Sequence, residues 1–594
     1  MTVRAYAQAT SCAQGSTLRF VLSEPSVVEV TDLADDRVVY TGQATPAWDL
    51  EVPAGWRSSL YRARFGPEIP WPKSLPGATP CPDNEVFFVV RQAVPTSPIL
   101  ISVPFTTWQA YNLAGEPGQG LYWTESPTRA HRVTFDRPGG GPPPERWEEG
   151  LIRWLRPAGY DVAYCSNLDL HDGLDLLSGY RLLVVNGHDE YWSAQMRDTV
   201  EEFVRRGGNV AFLAGNTCWW QIRLEDGKRT MVCHRDPVAG DTAEWTAAGR
   251  PENTLTGVSF RAGAGTWGQD MPRMLEESYT VRFAGHWAFE GTGLTDGDKF
   301  GQGCLGYETD AAEFEEVGGV PRVTCTDGTP ASFVVLATAD LRHWSAYGQG
   351  GWATMGVFTS GLGTVFTAAT VNWGNTLGDP VVERITRNVL DRLSAESRRG
   401  WEVIGPVADL RAMAVLGRTL YAVDAGGCLL SRELCGQNLA WSAVAEAGDL
   451  VGLAVPREAA GGVSQALHGV SRSGRLVRWD RGEWREIGHA PAAAVGLAVA
   501  DCTFYVATDA GELWRLPFGA REWEPDGSSA GAVCLAGTNG RLFAAGAGGR
   551  LLTRIPGSHW EEHPVRVPGE VFTAHSGLLV AGGPGEPLRW SRVR

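Results

Sequence analysis

The 594-residue chain has no C-x-x-C pair among its 11 cysteines, which are scattered from Cys12 to Cys534. That argues against clustered-thiolate structural zinc and fits a reducing compartment, the cytoplasm. No window approaches 18 apolar residues, so no membrane-spanning helix is expected. Residues 1–15 lack a long apolar core after a basic start, so they are not read as a secretory signal. Positive charge is scarce: 52 Lys and Arg face 68 Asp and Glu, for a formal net charge of −16. Nucleic acid and anionic membrane both need a cationic face, and no basic run is dense enough to supply one.

What the chain does have is glycine (74) and tryptophan (24), with an ordinary balance of hydrophobic (43%) and charged (20%) residues. Its length predicts about three domains. Residues 1–93 read as all-β. Leu18-Arg19-Phe20-Val21-Leu22 and Leu60-Tyr61-Arg62-Ala63-Arg64-Phe65 alternate with period two, and Val86-Phe87-Phe88-Val89-Val90 is a more buried run. A small β-sandwich of immunoglobulin type is predicted there.

Residues 94–397 alternate strands with helices. Strands are predicted at 99–103, 160–164, 181–185, 209–213 and 363–370, and helices at 145–155, 194–206 and 380–393. Ser193 is placed to cap the second helix and Gly207-Gly208 to stop it. Strand-helix-strand at this spacing predicts a doubly wound α/β domain. Residues 220–360 give no clear strand placement.

Residues 398–594 repeat. Tyr421-Ala-Val-Asp-Ala-Gly-Gly-Cys-Leu-Leu has copies starting at His468, Tyr505 and Phe543 and a weaker one at Leu579, followed by Trp441, Trp484, Trp523, Trp560 and Trp590. Trp401 opens the series, and the intervals run from 30 to 43 residues. A unit of roughly 40 residues with a hairpin and a fixed Trp is a propeller blade, so five blades are predicted. The pattern resembles tachylectin-like propellers.

The most informative segment is Asn186-Gly187-His188-Asp189-Glu190-Tyr191-Trp192, which follows the buried strand at 181–185 and precedes the capped helix. Ligands bind beyond the carboxyl ends of strands in open α/β sheets. The alternative is that His188 and Glu190 cap the helix or pair with a neighbouring loop. Asn216 ends the next strand, and Tyr111 lies in Thr107-Trp108-Gln109-Ala110-Tyr111-Asn112 after the strand at 99–103. Both are predicted on the same edge. Asp169, His171 and Asp172 read as a capping and turn cluster, Tyr307 and Glu308 as a supporting pair, and Trp219-Trp220 as core packing or a pocket wall.

The run Thr-x-Gln-Ala-Tyr-Asn at 107–112, Tyr122, Gly-His-x-Glu-Tyr-Trp at 187–192, Ala-Gly-Asn at 214–216, Met231-Val-Cys-His-Arg-Asp, Leu305-Gly-Tyr-Glu-Thr-Asp and Asn372-Trp-Gly-Asn-Thr-Leu resembles the large (beta) subunits of N,N-dimethylformamidases, over about residues 50–395. The resemblance implies a catalytic domain like the class I glutamine amidotransferases. No G-x-C-x-G or G-x-S-x-G elbow stands at the 187–192 turn, so acylation of Cys or Ser there is disfavoured.

The resemblance further implies one mononuclear Fe(III), held by Tyr61, Tyr111 and Glu190, with zinc on His188 and Glu190 as the lesser alternative. Glu190, His188 and Asn216 would be catalytic, and Trp192 and Arg235 would bind substrate, Arg235 standing near a family lysine. Phenolate and carboxylate oxygens suit a hard trivalent ion. The implied activity is hydrolysis of the C–N bond of a small linear amide. The alternative is a glycan-binding protein with a silent α/β scaffold. A homo-oligomer, and a glycan or protein partner at the propeller, are further expectations.

Overall fold

A computed structural model describes residues 2–592 apart from 71–80, 116–118, 123–128, 236–241, 268–276, 318, 362, 396–401, 408, 417–418, 434–439, 457–465, 501, 539–540, 564–565 and 576–577. The chain is mostly β-sheet with few helices. It divides into two compact units, residues 1–358 with 364–396, and residues 359–363 with 397–594. The first unit holds the segments 1–93 and 94–397, less a few residues, as one body. Among the described residues no helix is long and apolar enough to cross a membrane.

The N-terminal segment forms a three-stranded sheet (Ala5–Ala7, Thr17–Leu22, Ala47–Glu51) and a five-stranded sheet (Ser11–Ala13, Glu85–Arg91, Ser59–Phe65, Ser26–Asp32, Arg37–Ala44). Period-two alternation sends Leu18, Phe20 and Leu22 into a core shared with Val28, Tyr61, Phe65 and Phe88. Ser11–Ala13 pairs in parallel with Val89–Arg91. The Glu85–Arg91 strand is apolar throughout because it faces two cores. Val86, Phe88 and Val90 enter this one, while Phe87 and Val89 enter the core of the neighbouring sheet.

That neighbouring sheet has nine strands. Val162–Ser166, Ile99–Val103, Leu182–His188, Asn209–Gly215 and Gly363–Thr367 run parallel in that order. Trp352–Ser360, Val334–Asp340, Tyr279–Val281 and Lys299–Phe300 extend it, the last three pairings being antiparallel. Leu182 and Val184 pack into one core and Leu183 and Val185 into another, which explains a continuous apolar run. The helix Ala194–Arg205 covers one face with Met196, Val200 and Phe203. The helix Pro380–Ser394 covers the other with Val382, Ile385 and Val389. Ser193 caps the first through its Oγ, which accepts from Met196 N at 3.2 Å.

The helix predicted at 145–155 spans only Glu149–Leu155. Arg146 takes a left-handed φ of 48°, which turns the preceding residues away from helical geometry and leaves Glu148 facing Gly187 and His188. The strand predicted at 363–370 stops at Thr367, two residues before Ala369 at φ 59°.

The second unit consists of five four-stranded antiparallel sheets. The first strands of the sheets, from Leu410–Leu416 to Val571–His575, pack against one another in cyclic order, and the last meets the first. Glu402–Val407 pairs with Glu586–Arg592, so the two ends of the repeat complete one sheet. Two of the recurring tryptophans tie neighbouring sheets: Trp523 Nε1 donates to His489 O at 2.7 Å and Trp560 Nε1 to Ser528 O at 2.9 Å, in each case on the last strand of the preceding sheet. Trp401 lies outside the described residues.

Candidate functional site

Three parallel strands deliver polar residues to one edge. Ile99–Val103 runs into the short helix Phe105–Tyr111, whose last residue is Tyr111. Leu182–His188 ends on His188 and turns into Asp189 and Glu190. Asn209–Gly215 ends beside Asn216. Gly187 takes φ 76°, and a Cβ there would stand 2.5 Å from Glu148 Oε1. Only glycine allows the strand to end this way.

The edge gathers a dense set of polar atoms. Tyr111 Oη lies 3.0 Å from Glu190 Oε2 and 3.0 Å from His188 Nε2. His188 Nε2 also lies 3.2 Å from Glu308 Oε2 and 3.6 Å from Glu190 Oε2. Tyr111, His188, Glu190 and Glu308 are all buried. His188 Nδ1 sits 3.2 Å from Gly215 O, a pure acceptor, so Nδ1 carries a proton. His188 Nε2, Glu190 Oε2 and Glu308 Oε2 thus converge on one point with the Tyr111 hydroxyl.

The backbone holds these groups tightly. Glu190 N donates to Thr107 Oγ1 at 2.9 Å, and Glu190 O accepts from Trp219 N and Trp220 N, both at 2.9 Å. His188 N donates to Glu148 Oε1 at 3.1 Å. Asn216 has a left-handed φ of 44°, a conformation asparagine tolerates. Its N donates to Asp310 Oδ1 at 2.9 Å and its Nδ2 to Glu308 Oε2 at 3.0 Å. Trp267 Nε1 donates to the other Glu308 oxygen at 2.9 Å.

Burial dominates the protonation of these groups. It pushes the Glu190 carboxyl up to about 7, against the opposing pull of His188. It raises the Tyr111 phenol well above its ordinary value, and the adjacent Glu190 raises it further. Burial likewise lifts Glu148 to about 7.

Tyr122 and the expected supporting pair Tyr307 and Glu308 complete the wall. Tyr122 stacks on Tyr111 with ring centroids 4.5 Å apart. Its hydroxyl lies 3.5 Å from Glu190 Oε2 and 2.8 Å from Tyr191 Oη. Tyr307 hydrogen-bonds Tyr111 and stacks on Trp147 at 4.7 Å. Tyr122, Tyr307 and Glu308 lay within the motifs that carry the family resemblance. Nothing in spacing marked them as site walls. Arg235 places its guanidinium 3.8 Å above the Tyr122 ring and 5.5 Å from that of Trp220.

Two expected members are elsewhere. Tyr61 is fully buried in the N-terminal two-sheet core, stacked between Trp56 at 5.1 Å and Phe88 at 5.6 Å. Its hydroxyl donates to Arg57 O at 2.8 Å. The motif match placed it with Tyr111 and Glu190, but its strand buries it in a different core. Trp192 is corrected likewise: alternation along Tyr191–Ser193 turns it into the apolar core beneath Ala194–Arg205, where its Nε1 donates to Asp189 O at 3.0 Å. Asp169 caps a short 3-10 turn, His171 Nδ1 meets Ser193 Oγ at 2.8 Å, and Asp172 pairs with Lys228.

The buried thiols Cys165 and Cys218 are raised by desolvation and are not poised as thiolates. Among the described residues no group of three or more His, Cys, Asp and Glu is arranged to hold a metal ion.

Residues 9–387 match the family model described as "N,N-dimethylformamidase beta subunit-like, C-terminal". The N,N-dimethylformamidase beta subunit of Paracoccus aminophilus is 27% identical over 285 residues, 40% of this chain and 35% of that protein. That of Alcaligenes sp is 26% identical over 287 residues, 41% and 36% respectively. The matched part thus spans about a third of these curated relatives. Among solved structures, Myxococcus xanthus glutaminyl cyclase is 15% identical over 33% of this chain and 95% of its own, with a TM-score of 0.24. YCF48 bound to D1 peptide is 16% identical over 34% and 74%, with a TM-score of 0.21. Likenesses at those scores carry no argument. The match over residues 9–387, most of the chain, is decisive: the chain belongs to the N,N-dimethylformamidase beta subunit-like, C-terminal family.

Proposed function

We propose that this protein is an iron-dependent hydrolase of the C–N bond in small amides. The observation that carries the reading is the meeting of Tyr111 Oη, Glu190 Oε2 and His188 Nε2, with Tyr111 Oη 3.0 Å from each of the other two, all on buried residues. The donor set fits a hard cation. Tyr111 and Glu190 supply oxygens, and the oxygens of Tyr122 and Tyr307 are the others at hand. A ferric ion held there would polarise an amide carbonyl and acidify water.

The chain's own residues do the rest. His188, its Nδ1 engaged with Gly215 O, presents Nε2 to take a proton from water and return it to the departing amine. Glu308, held by Asn216 and Trp267, faces that nitrogen and stabilises the imidazolium. Tyr122, Tyr307 and Trp147 keep bulk water out, which strengthens each of these interactions.

On this reading the N-terminal layers are an immunoglobulin-like sandwich (residues 1–93), the nine-stranded sheet is a glutamine amidotransferase-like scaffold (94–397), and the ring of sheets is a five-bladed propeller (398–594). The setting is cytoplasmic. Metal analysis and visible spectroscopy of the full chain test the proposal. One iron per chain, a phenolate charge-transfer band and amine release from a small formamide are expected. A colourless, metal-free protein with affinity for a glycan overturns it, and a colourless zinc protein replaces iron by zinc.

A further inference from the structure

We infer that Arg235 forms a carboxylate subsite, so that the amide cleaved here carries a carboxylate, as an N-acyl amino acid does, in place of a neutral dialkyl amide. This rests on the hydrolase reading above and narrows its substrate class.

The placement of Arg235 is fixed by its neighbours. Cys233 N donates to His131 O at 2.9 Å and His234 N to Thr242 Oγ1 at 2.8 Å, which pins the backbone leading to it. The guanidinium lies on the ring of Tyr122, with Trp220 beside it. Such aromatic faces hold a cation without engaging its N–H donors. Arg235 Nε and Nη1 are buried and have no hydrogen-bond partner among the described residues.

Other buried guanidiniums have most of their nitrogens served by the fold, Arg137 and Arg554 each leaving one unpartnered. Arg197 donates to Glu201, to Arg250 O and Pro251 O, and to Thr254. Arg137 donates to the carbonyls of Ala114, Gln119, Gln109 and Asn112. Among the described residues, Arg235 is the one arginine with two buried, unpartnered nitrogens. A buried N–H without a mate is costly, and a partner brought by a ligand removes that cost.

The partner's chemistry follows from the donor. A guanidinium offers a planar edge of N–H groups that matches the two oxygens of a carboxylate. The side chain as a whole is only half-buried, so the group is within reach of a ligand. The surroundings set the ligand's length. Tyr122, which carries the guanidinium, stacks on Tyr111 at 4.5 Å and brings its hydroxyl to 3.5 Å from Glu190 Oε2. A single side chain therefore separates the cation from the reacting groups, and the carboxylate must lie within a few bonds of the amide. Glu190 cannot be the missing mate of Nε and Nη1, because neither nitrogen bonds it.

The experiment uses the full chain in the wild-type, R235Q and R235K forms. Hydrolysis of N-formylglycine is compared with that of N-formylglycinamide, which differs only in lacking the carboxylate. Binding of phenylacetate is compared with that of 2-phenylethanol by calorimetry, which needs no turnover. The wild type should favour the acid over the amide by roughly 10–100-fold in kcat/KM. In R235Q that ratio should collapse, and R235K should fall between. Phenylacetate should bind the wild type and not R235Q, and 2-phenylethanol should bind both alike. If phenylacetate fails to bind the wild type, or binds R235Q equally, the inference is overturned whether or not any amide is cleaved. If both formyl compounds are cleaved with no preference that depends on Arg235, the subsite is overturned and the hydrolase stands. If phenylacetate binds through Arg235 but no amide is hydrolysed, the hydrolase reading fails and the carboxylate site stands.

Discussion

Tyr61 and Tyr111 are both buried, both stacked on aromatic rings, and both pushed upward in pKa by burial and then by a nearby carboxylate. Yet they sit in opposite kinds of surroundings. The carboxylate near Tyr61 is Asp32, which already has Arg156 at 3.0 Å and the Ser59 hydroxyl at 2.5 Å, while the Tyr61 hydroxyl is spent on a backbone carbonyl. The carboxylate near Tyr111 has no arginine in hydrogen-bond contact, and the same hydroxyl also meets an imidazole nitrogen. Burial alone makes a tyrosine inert. Burial with its hydroxyl between a carboxylate and an imidazole nitrogen makes it a candidate ligand.

The largest effect expected from this contrast is on activity. Glu190→Gln should lower amide hydrolysis by about 10³-fold and abolish the visible band, the scale expected for removing a group engaged in the transition state. Tyr111→Phe should do the same to the band, read by absorbance and iron content together. If Tyr111→Phe keeps both its iron and its colour, the contrast between the two tyrosines is broken.

A pH scan extends the contrast to histidines. His188 stands among carboxylates, whereas His286 is lowered to about 3 by burial first and then by Arg392. The unfolded chain takes up this proton below about 6.5, but the folded chain holds off until about 3. Between these values the unfolded state binds more protons, so stability falls as pH falls through that window. The expected loss is up to a few kcal/mol. His286→Asn, which keeps an acceptor for Ala288 N, should flatten the acid limb of urea-unfolding stability measured from pH 7 to pH 4. An unchanged limb would show that His286 is not held neutral.

The carboxyl-edge placement of His188, Glu190 and Asn216 was legible because parallel strands read as continuous apolar runs, and the residues ending them must emerge together. Tyr111 was legible for the same reason. Tyr61 was not. Motif similarity picks out a tyrosine in a segment, but it does not say which face of a strand is buried in which core, and the Ser59–Phe65 strand sends Tyr61 into the sandwich core. Trp192 failed on the same point, since one step along Tyr191–Ser193 changes the side. Tyr122 and Tyr307 lie outside the strands and Glu308 opens the short strand Glu308–Ala311, too brief for a periodicity to read. The ring of sheets was legible because its repeat is carried by hairpins and by a recurring tryptophan, which at Trp523 and Trp560 donates to the preceding sheet.

The smallest expected effect is the sharpest control. Tyr61→Phe removes a hydroxyl that donates only to Arg57 O, so it should cost about 1 kcal/mol of stability. Its ring remains between Trp56 and Phe88, and the pair of Asp32 with Arg156 is untouched. Iron content, colour and turnover should all match the wild type. Denaturant unfolding measures the first effect, and metal analysis with absorbance the second. Loss of iron on this substitution would mean that the hydroxyl reaches the site after all. Retained iron with a small stability loss would show that two equally buried phenols differ in chemistry only through the partners their oxygens meet.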